Sequence, residues 1–209
     1  MSIPAARELY KIAKEYILRE GFEPEVAWQA TRDFGRFDES DLLRESAWVI
    51  LCSGFREATI RRCFSFISLC FYDWESSSTI CGNSHVCKAT AFTRFRNEKK
   101  IEAILQTSAH IQRVSFPAFK RDILQEPLQT LRLLPFVGDI TAYHLAKNLG
   151  VEVAKPDRHL MRLASSMGFG SPQELCADIS QSTGDPISVV DLILWRYLER
   201  GRPSPSEVA

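Results

Sequence analysis

The chain has 209 residues, of which 45% are hydrophobic and 25% charged, a balance that excludes wholesale disorder and suffices for a core without a disulfide or metal staple. Lys+Arg and Asp+Glu number 26 each, so the formal net charge is zero. That excludes coating of nucleic acid or membrane by bulk charge and leaves local patches open. No segment approaches the roughly 20 apolar residues of a membrane span, and residues 1–19 mix Glu, Lys and Arg every few positions, unlike an export or transit signal. A cytoplasmic location is expected, with Cys52, Cys63, Cys70, Cys81, Cys87 and Cys176 reduced and buried.

The periodicity predicts helices almost throughout. Residues 5–19 place Leu9, Ile12, Tyr16 and Ile17 on one stripe. A second helix covers about 24–34, and residues 39–53 open with Glu39-Ser40-Asp41 and run into a stretch apolar on nearly every face, Ala47 to Cys52, which reads as a central buried helix. Further patterns follow at 57–70, 84–95, 98–112, 116–125, 128–134, 139–149, 157–167, 171–182 and 186–199. Residues 73–83 read as a loop, and residues 201–209, with two prolines and two serines, as a loose tail. Strand alternation is nowhere convincing, and Gly and Pro fall between the patterns. The expected class is all-α, built of short helices.

Residues 131–167 carry the most information. An apolar helix ends at Leu134, Pro135 halts it, and Gly138 permits a tight hairpin into a second helix, which Gly150 closes. The unpaired amides and dipole at the start of that second helix suit an anion such as a nucleic-acid phosphate. A short connector, residues 151–156, then leads through Pro156 to Asp157, which opens an amphipathic helix with Leu160, Leu163, Ala164 and Met167 inward.

The pattern Leu134-Pro135-x-Val137-Gly138-x-x-Thr141-Ala142, followed by Lys155-Pro156-Asp157-Arg158-His159, resembles the helix-hairpin-helix glycosylase superfamily, whose members include endonuclease III-like and 3-methyladenine glycosylases. The motif covers about 35 residues, and hairpin plus spaced Asp is more specific than the hairpin alone. The resemblance implies two helical lobes with a central cleft: residues 41–149 as the lobe ending in the hairpin, and 1–40 with 150–209 as the other. It implies that Pro135, Phe136, Val137 and Gly138, with Ile140 and Thr141, bind DNA phosphate through main-chain amides. Main-chain carbonyls of Arg132, Leu134 and Val137 match positions that hold a cation such as Na or K in the family. Asp157 matches the essential carboxylate, which stabilises positive charge on the deoxyribose as the base departs and orients or deprotonates water.

Three departures shape the expectation. Phe136 stands where the commonest pattern has the first hairpin glycine. Ile140 stands where bifunctional members place the Schiff-base lysine, and isoleucine cannot form an imine. Only Cys176 follows the motif, so no iron–sulfur cluster of the endonuclease III kind is expected. Upstream, Leu51-Cys52-Ser53-Gly54-Phe55-Arg56 lies where relatives carry the residue that plugs the gap left by a flipped base, which makes Phe55 a candidate wedge and Arg56 a candidate phosphate or orphan-base contact.

Plainer readings stand beside these. Asp157 suits an ordinary helix N-cap, where amides and dipole favour a carboxylate, and the hairpin suits a structural turn. Cys81-x-x-x-His85-x-Cys87 lacks the fourth ligand of a structural zinc site, so packed thiols are favoured. Arg94, Arg96, Lys99, Lys100, Arg113, Lys120 and Arg121 fit either a phosphate-tracking face or a solvated surface. Arg158, His159 and Arg162 flank Asp157, and at least one is expected on phosphate; Trp28, Trp48, Trp74, Tyr143 and Trp195 are base-pocket candidates that mostly belong to the core. The function expected is a monofunctional, monomeric DNA glycosylase of base excision repair. It acts on nucleoid DNA carrying a modified base, with alkylated purine ranked first, and requires no cofactor. The alternatives are an inactive DNA-binding or lesion-sensing protein and a lyase with a lysine elsewhere.

Overall fold

The computed structural model describes residues 3–201. Thirteen α-helices and no strand occur among the described residues, and none of those helices is long and apolar enough to cross a membrane. The chain divides into two units, Phe34–Leu149 on one side and Met1–Asp33 with Gly150–Ala209 on the other. Beyond Gly201, the expected tail lies outside the described residues.

The unit built from both chain ends holds α1 (Ile3–Ile17), α2 (Glu23–Ala30), α11 (Arg158–Ser166), α12 (Pro172–Thr183) and α13 (Ile187–Glu199). On α1 the buried stripe is Ala6, Leu9, Tyr10, Ala13 and Ile17, and it packs in one core with Val190, Ile193, Leu194 and Tyr197 of α13. Ile12, expected inside, is about half exposed. Tyr10 takes the inner place because its hydroxyl finds Asp185 at 2.7 Å; burial and that carboxylate push the phenol above its ordinary range. On α13, Arg196 is almost fully buried. It donates to both Glu25 oxygens of α2 at 2.9 and 2.7 Å, the paired geometry in which a guanidinium tolerates burial.

The contiguous unit holds α3 (Glu39–Cys52), α4 (Glu57–Cys70), α5 (Ser77–Gly82), α6 (Ser84–Arg94), α7 (Glu98–Val114), α8 (Phe116–Gln125), α9 (Pro127–Leu131) and α10 (Asp139–Asn148). Asp38 and Asp41 cap the start of α3 reciprocally. Leu42, Leu43, Ala47, Val49, Ile50 and Leu51 of α3 are buried, as a central helix requires. A buried hydrogen bond from Asn148 to Glu45, 2.8 Å, ties α10 to α3.

Three expectations change. Residues 73–83 are not a loop throughout: Ser76 caps Thr79 and starts α5, whose Ile80 is buried. Ahead of it, Tyr72, Asp73 and Trp74 all take positive φ. They are held by Trp74, which stacks on Phe71 at 5.1 Å and donates its indole N–H to Ser68 at 2.9 Å. Trp74 is therefore core and no base-pocket residue. Cys52, Cys70 and Cys81 are half-buried where burial was expected. Finally, the unit begins at Phe34, seven residues before the expected 41, because Phe34 stacks on Phe37 and Phe37 packs edge-on against Phe116. Phe37→Ala is expected to cost about 3–5 kcal/mol, read by urea unfolding of the full chain.

Candidate functional site

The hairpin sits between α9 and α10. The helix over 128–134 stops at Leu131, and residues 134–137 close a turn in which Val137 N–H donates to the Leu134 carbonyl at 3.1 Å. Proline at the second position and positive φ at the third are the signature of a type II turn, which favours glycine third. Phe136 occupies that place at φ +63°, a conformation that costs a side-chain-bearing residue about 1–2 kcal/mol. Gly138 then caps α10, and its N–H is taken by the Thr141 hydroxyl at 2.7 Å.

Two of the amides expected to meet phosphate, those of Val137 and Gly138, are thus bonded within the hairpin, and Pro135 has none. The donors that α-helix geometry leaves without an intrahelical acceptor lie one step on, at Asp139, Ile140 and Thr141. Ile140 is about half exposed there. Asp139 adds negative charge to the same end, offset by Arg132 at 3.1 Å.

Lys100 lies beneath this hairpin. Assigned to a basic surface from sequence, it is buried. Its ammonium donates to the Ile50 carbonyl near the end of α3 and lies 5.5 Å from the Phe55 ring centroid and 5.3 Å from that of Phe136. Burial pushes its amine below the ordinary lysine range, and the carbonyl and ring faces are its compensation. Phe55, which also leans on Phe95 at 5.5 Å, and Arg56 are both exposed on the α3–α4 loop, where Gly54 takes φ +73°. The candidate wedge and the hairpin thus share one cation.

Asp157 belongs to the other unit. It is 9% exposed and caps α11: Oδ1 accepts from His159 N–H at 2.9 Å and Leu160 N–H at 3.1 Å, while Oδ2 lies 3.9 Å from the Lys155 ammonium. The connector before it is pinned by side chains of α12 and α13. Ala154 N–H donates to Gln173 at 2.8 Å, Lys155 N–H to Asp191 at 2.7 Å, and Ser188 to the Glu152 carboxylate through both N–H and hydroxyl. Lys155 also lies over Trp195 at 5.8 Å.

None of these supports was anticipated, although Asp191 had a signal: it is the one charged residue in the apolar run Val189-Val190-Asp191-Leu192-Ile193-Leu194. A buried carboxylate in such a run needs donors. Arg158 is exposed, with Nε 3.3 Å from the half-buried His159 ring nitrogen, and Arg162 is exposed on α11.

The rest of the proposed basic face divides. Arg94, Arg96 and Lys99 are exposed. Lys120 is half-buried and donates to the Phe37 carbonyl at 2.7 Å, Arg113 meets His110 at 3.1 Å, and Arg121 pairs with Asp122 at 3.3 Å. Of the ring candidates, Trp28 carries Arg32 at 5.3 Å, Trp48 carries Arg61 at 5.6 Å, and Tyr143 is half-buried. Asp191→Ala is expected to leave the Lys155 amide without its acceptor. The expected loss is about 1–3 kcal/mol, with faster hydrogen exchange at Lys155 than in wild type.

With this geometry in view, comparison with known proteins gives a fold. No protein-family model and no curated protein sequence matches the chain. The 8-oxoguanine DNA glycosylase of Thermotoga maritima superposes with a TM-score of 0.58 at 22% identity, over 94% of this chain and 98% of that one. The 8-oxoguanine glycosylase/lyase of Methanocaldococcus jannaschii, crystallised with a 15mer DNA containing 8-oxoguanine, gives 0.57 at 19% identity, over 93% and 98%. The chain therefore has the all-helical, helix-hairpin-helix fold of these two glycosylases.

Proposed function

We propose that this chain is a DNA N-glycosylase that releases a damaged or modified base, the opening step of base excision repair. The observation that carries this reading is the state of Asp157: a buried carboxylate with one oxygen fixed by two amides, on a connector that α12 and α13 hold in place. Departure of a base leaves an oxocarbenium-like sugar, and a carboxylate oriented in advance stabilises that charge without reorganising at the moment of reaction. Asp157 also orients the attacking water. The first-turn amides of α10 take a DNA phosphate, and Arg56, Arg158 and His159 are further backbone contacts.

The family resemblance implies a cation at the hairpin. The Leu134 carbonyl accepts one turn hydrogen bond and keeps a second lone pair, so it fits a monovalent ion alongside the carbonyls of Arg132 and Val137. Such an ion supplies positive charge against phosphate.

Ile140 cannot form an imine, so the reaction is hydrolysis by a monofunctional, monomeric enzyme. For substrate we propose a lesion-bearing purine. An alkylated, cationic purine leaves with little activation, and the two structures of like fold are 8-oxoguanine enzymes. A second reading rests on Lys155, whose amine lies 3.9 Å from Asp157 Oδ2. Here Asp157 takes the ammonium proton and the nitrogen bonds to C1′ as the glycosidic electron pair leaves with the base. The aminal so formed opens as the nitrogen lone pair expels O4′, which takes up a proton, and the imine that results permits β-elimination.

The test is abasic-site formation on duplexes carrying alkylated purines, 8-oxoguanine and other lesions, with borohydride added in parallel. Wild type is expected to release a base and to trap no adduct. Asp157→Asn, which keeps the cap, is expected to lose at least about a hundredfold, or 2.7 kcal/mol of transition-state stabilisation. A trapped adduct that disappears in Lys155→Ala establishes the second reading. DNA binding without base release from any lesion leaves a lesion-sensing module.

A further inference from the structure

The Phe136 and Phe55 rings are large apolar groups left out of the core beside the candidate phosphate site. Each rests on the Lys100 ammonium, and each remains over two-fifths exposed, 45% and 42%. Their centroids both lie within 5.5 Å of one nitrogen, so they are at most about 11 Å apart, a span of roughly three steps at 3.4 Å per nucleotide. The nitrogen is itself fixed by the Ile50 carbonyl, so the two rings are held to the end of α3 through one anchor.

Phe136 is the more informative of the two. The turn asks for glycine there, and a phenylalanine kept at φ +63° serves neither the turn nor the core. Its bulk also stands where a glycine would let phosphate approach the backbone. The chain meanwhile lacks the excess of positive charge by which proteins hold intact duplex: Lys+Arg and Asp+Glu cancel at 26 each. Aromatic rings offer a different source of affinity, because every unstacked base has a face to lay on them. An intact helix keeps those faces stacked inside; a bulge or mismatch presents them.

We propose that Phe55 and Phe136, footed on Lys100, form a two-ring stacking platform for unpaired bases, so that the DNA this unit selects is a helix already interrupted at or beside the modified nucleotide. The proposal rests on the glycosylase reading and narrows its substrate. Phe55 enters the interruption from the α3–α4 loop and Phe136 takes a second base at the hairpin. Lys100 is a positioning residue: it sets where both rings stand.

The test is fluorescence anisotropy with labelled DNA in two forms, fully paired and carrying a two-nucleotide bulge, bound to Asp157→Asn protein so that no base is released during the measurement. A preference for the bulged form of at least about tenfold is expected. Phe136→Gly and Phe55→Ala should each weaken bulge binding by roughly five- to hundredfold, the range for loss of one base–aromatic stack, and leave paired DNA within about twofold. Phe136→Trp should keep the preference.

Phe136→Gly relieves the left-handed strain and is expected to melt no lower than its parent, so weak binding is not misfolding. An equal bulged-to-paired ratio in the parent and Phe136→Gly overturns the platform. Base release by wild type without bulge preference overturns the platform and spares the glycosylase; bulge preference without base release does the reverse.

Discussion

A carboxylate buried in an apolar helix determines how the chain enters α11. Asp191 lies inside α13 at 1% exposure, and the N–H of Lys155 meets it at 2.7 Å. A charge so placed is costly without donors, so the segment that donates to it is held there. Gln173 and Ser188 fasten the same segment at Ala154 and Glu152, and Pro156 biases Lys155 toward extended backbone. Asp157 then arrives in the extended conformation that an N-cap needs, φ −83° and ψ 169°. Its placement is thus decided by residues 16 to 34 positions downstream, and the cap only completes it.

That division explains what could be read in the chain beforehand. Local signals were legible: the apolar period of α3, the halt at Pro135, and Asp157 opening α11 all depend on residues within a turn or two of each other. The connector's supports were not, because Gln173, Ser188 and Asp191 act on it across the fold, and spacing carries no information about such pairs. Lys100 and Lys120 misled for a related reason. Lysine in a polar-looking stretch reads as surface, yet its long apolar stem lets the ammonium reach a carbonyl under aromatic rings. Both lysines do so, at Ile50 beneath Phe55 and Phe136 and at Phe37 beside Phe116.

The hairpin shows the backbone constraint outlasting the residue that usually satisfies it. Pro135 fixes one dihedral of the turn, Val137 closes it on Leu134, and Thr141 locks Gly138. The third position must then take positive φ whatever side chain stands there. Phenylalanine in that place gives the turn an exposed ring and removes the glycine's open approach, so one substitution changes what the hairpin presents while its path is kept. The spent amide of Gly138 could not be foreseen from the motif, since it depends on the Thr141 hydroxyl accepting from that N–H.

The division of the chain also has a consequence for its biosynthesis. Phe34–Leu149 is contiguous and can fold as soon as it emerges from the ribosome. The other unit cannot, because α1 packs against α13 and the two are separated by nearly the whole chain. At about 5–20 residues per second, translating the intervening 116-residue unit takes roughly 6–23 s. During that interval Leu9, Tyr10, Ala13 and Ile17 lack the α13 side chains they pack against. The apolar face of α1 therefore waits for α13, and the unit that carries Asp157 cannot assemble until that helix has been made.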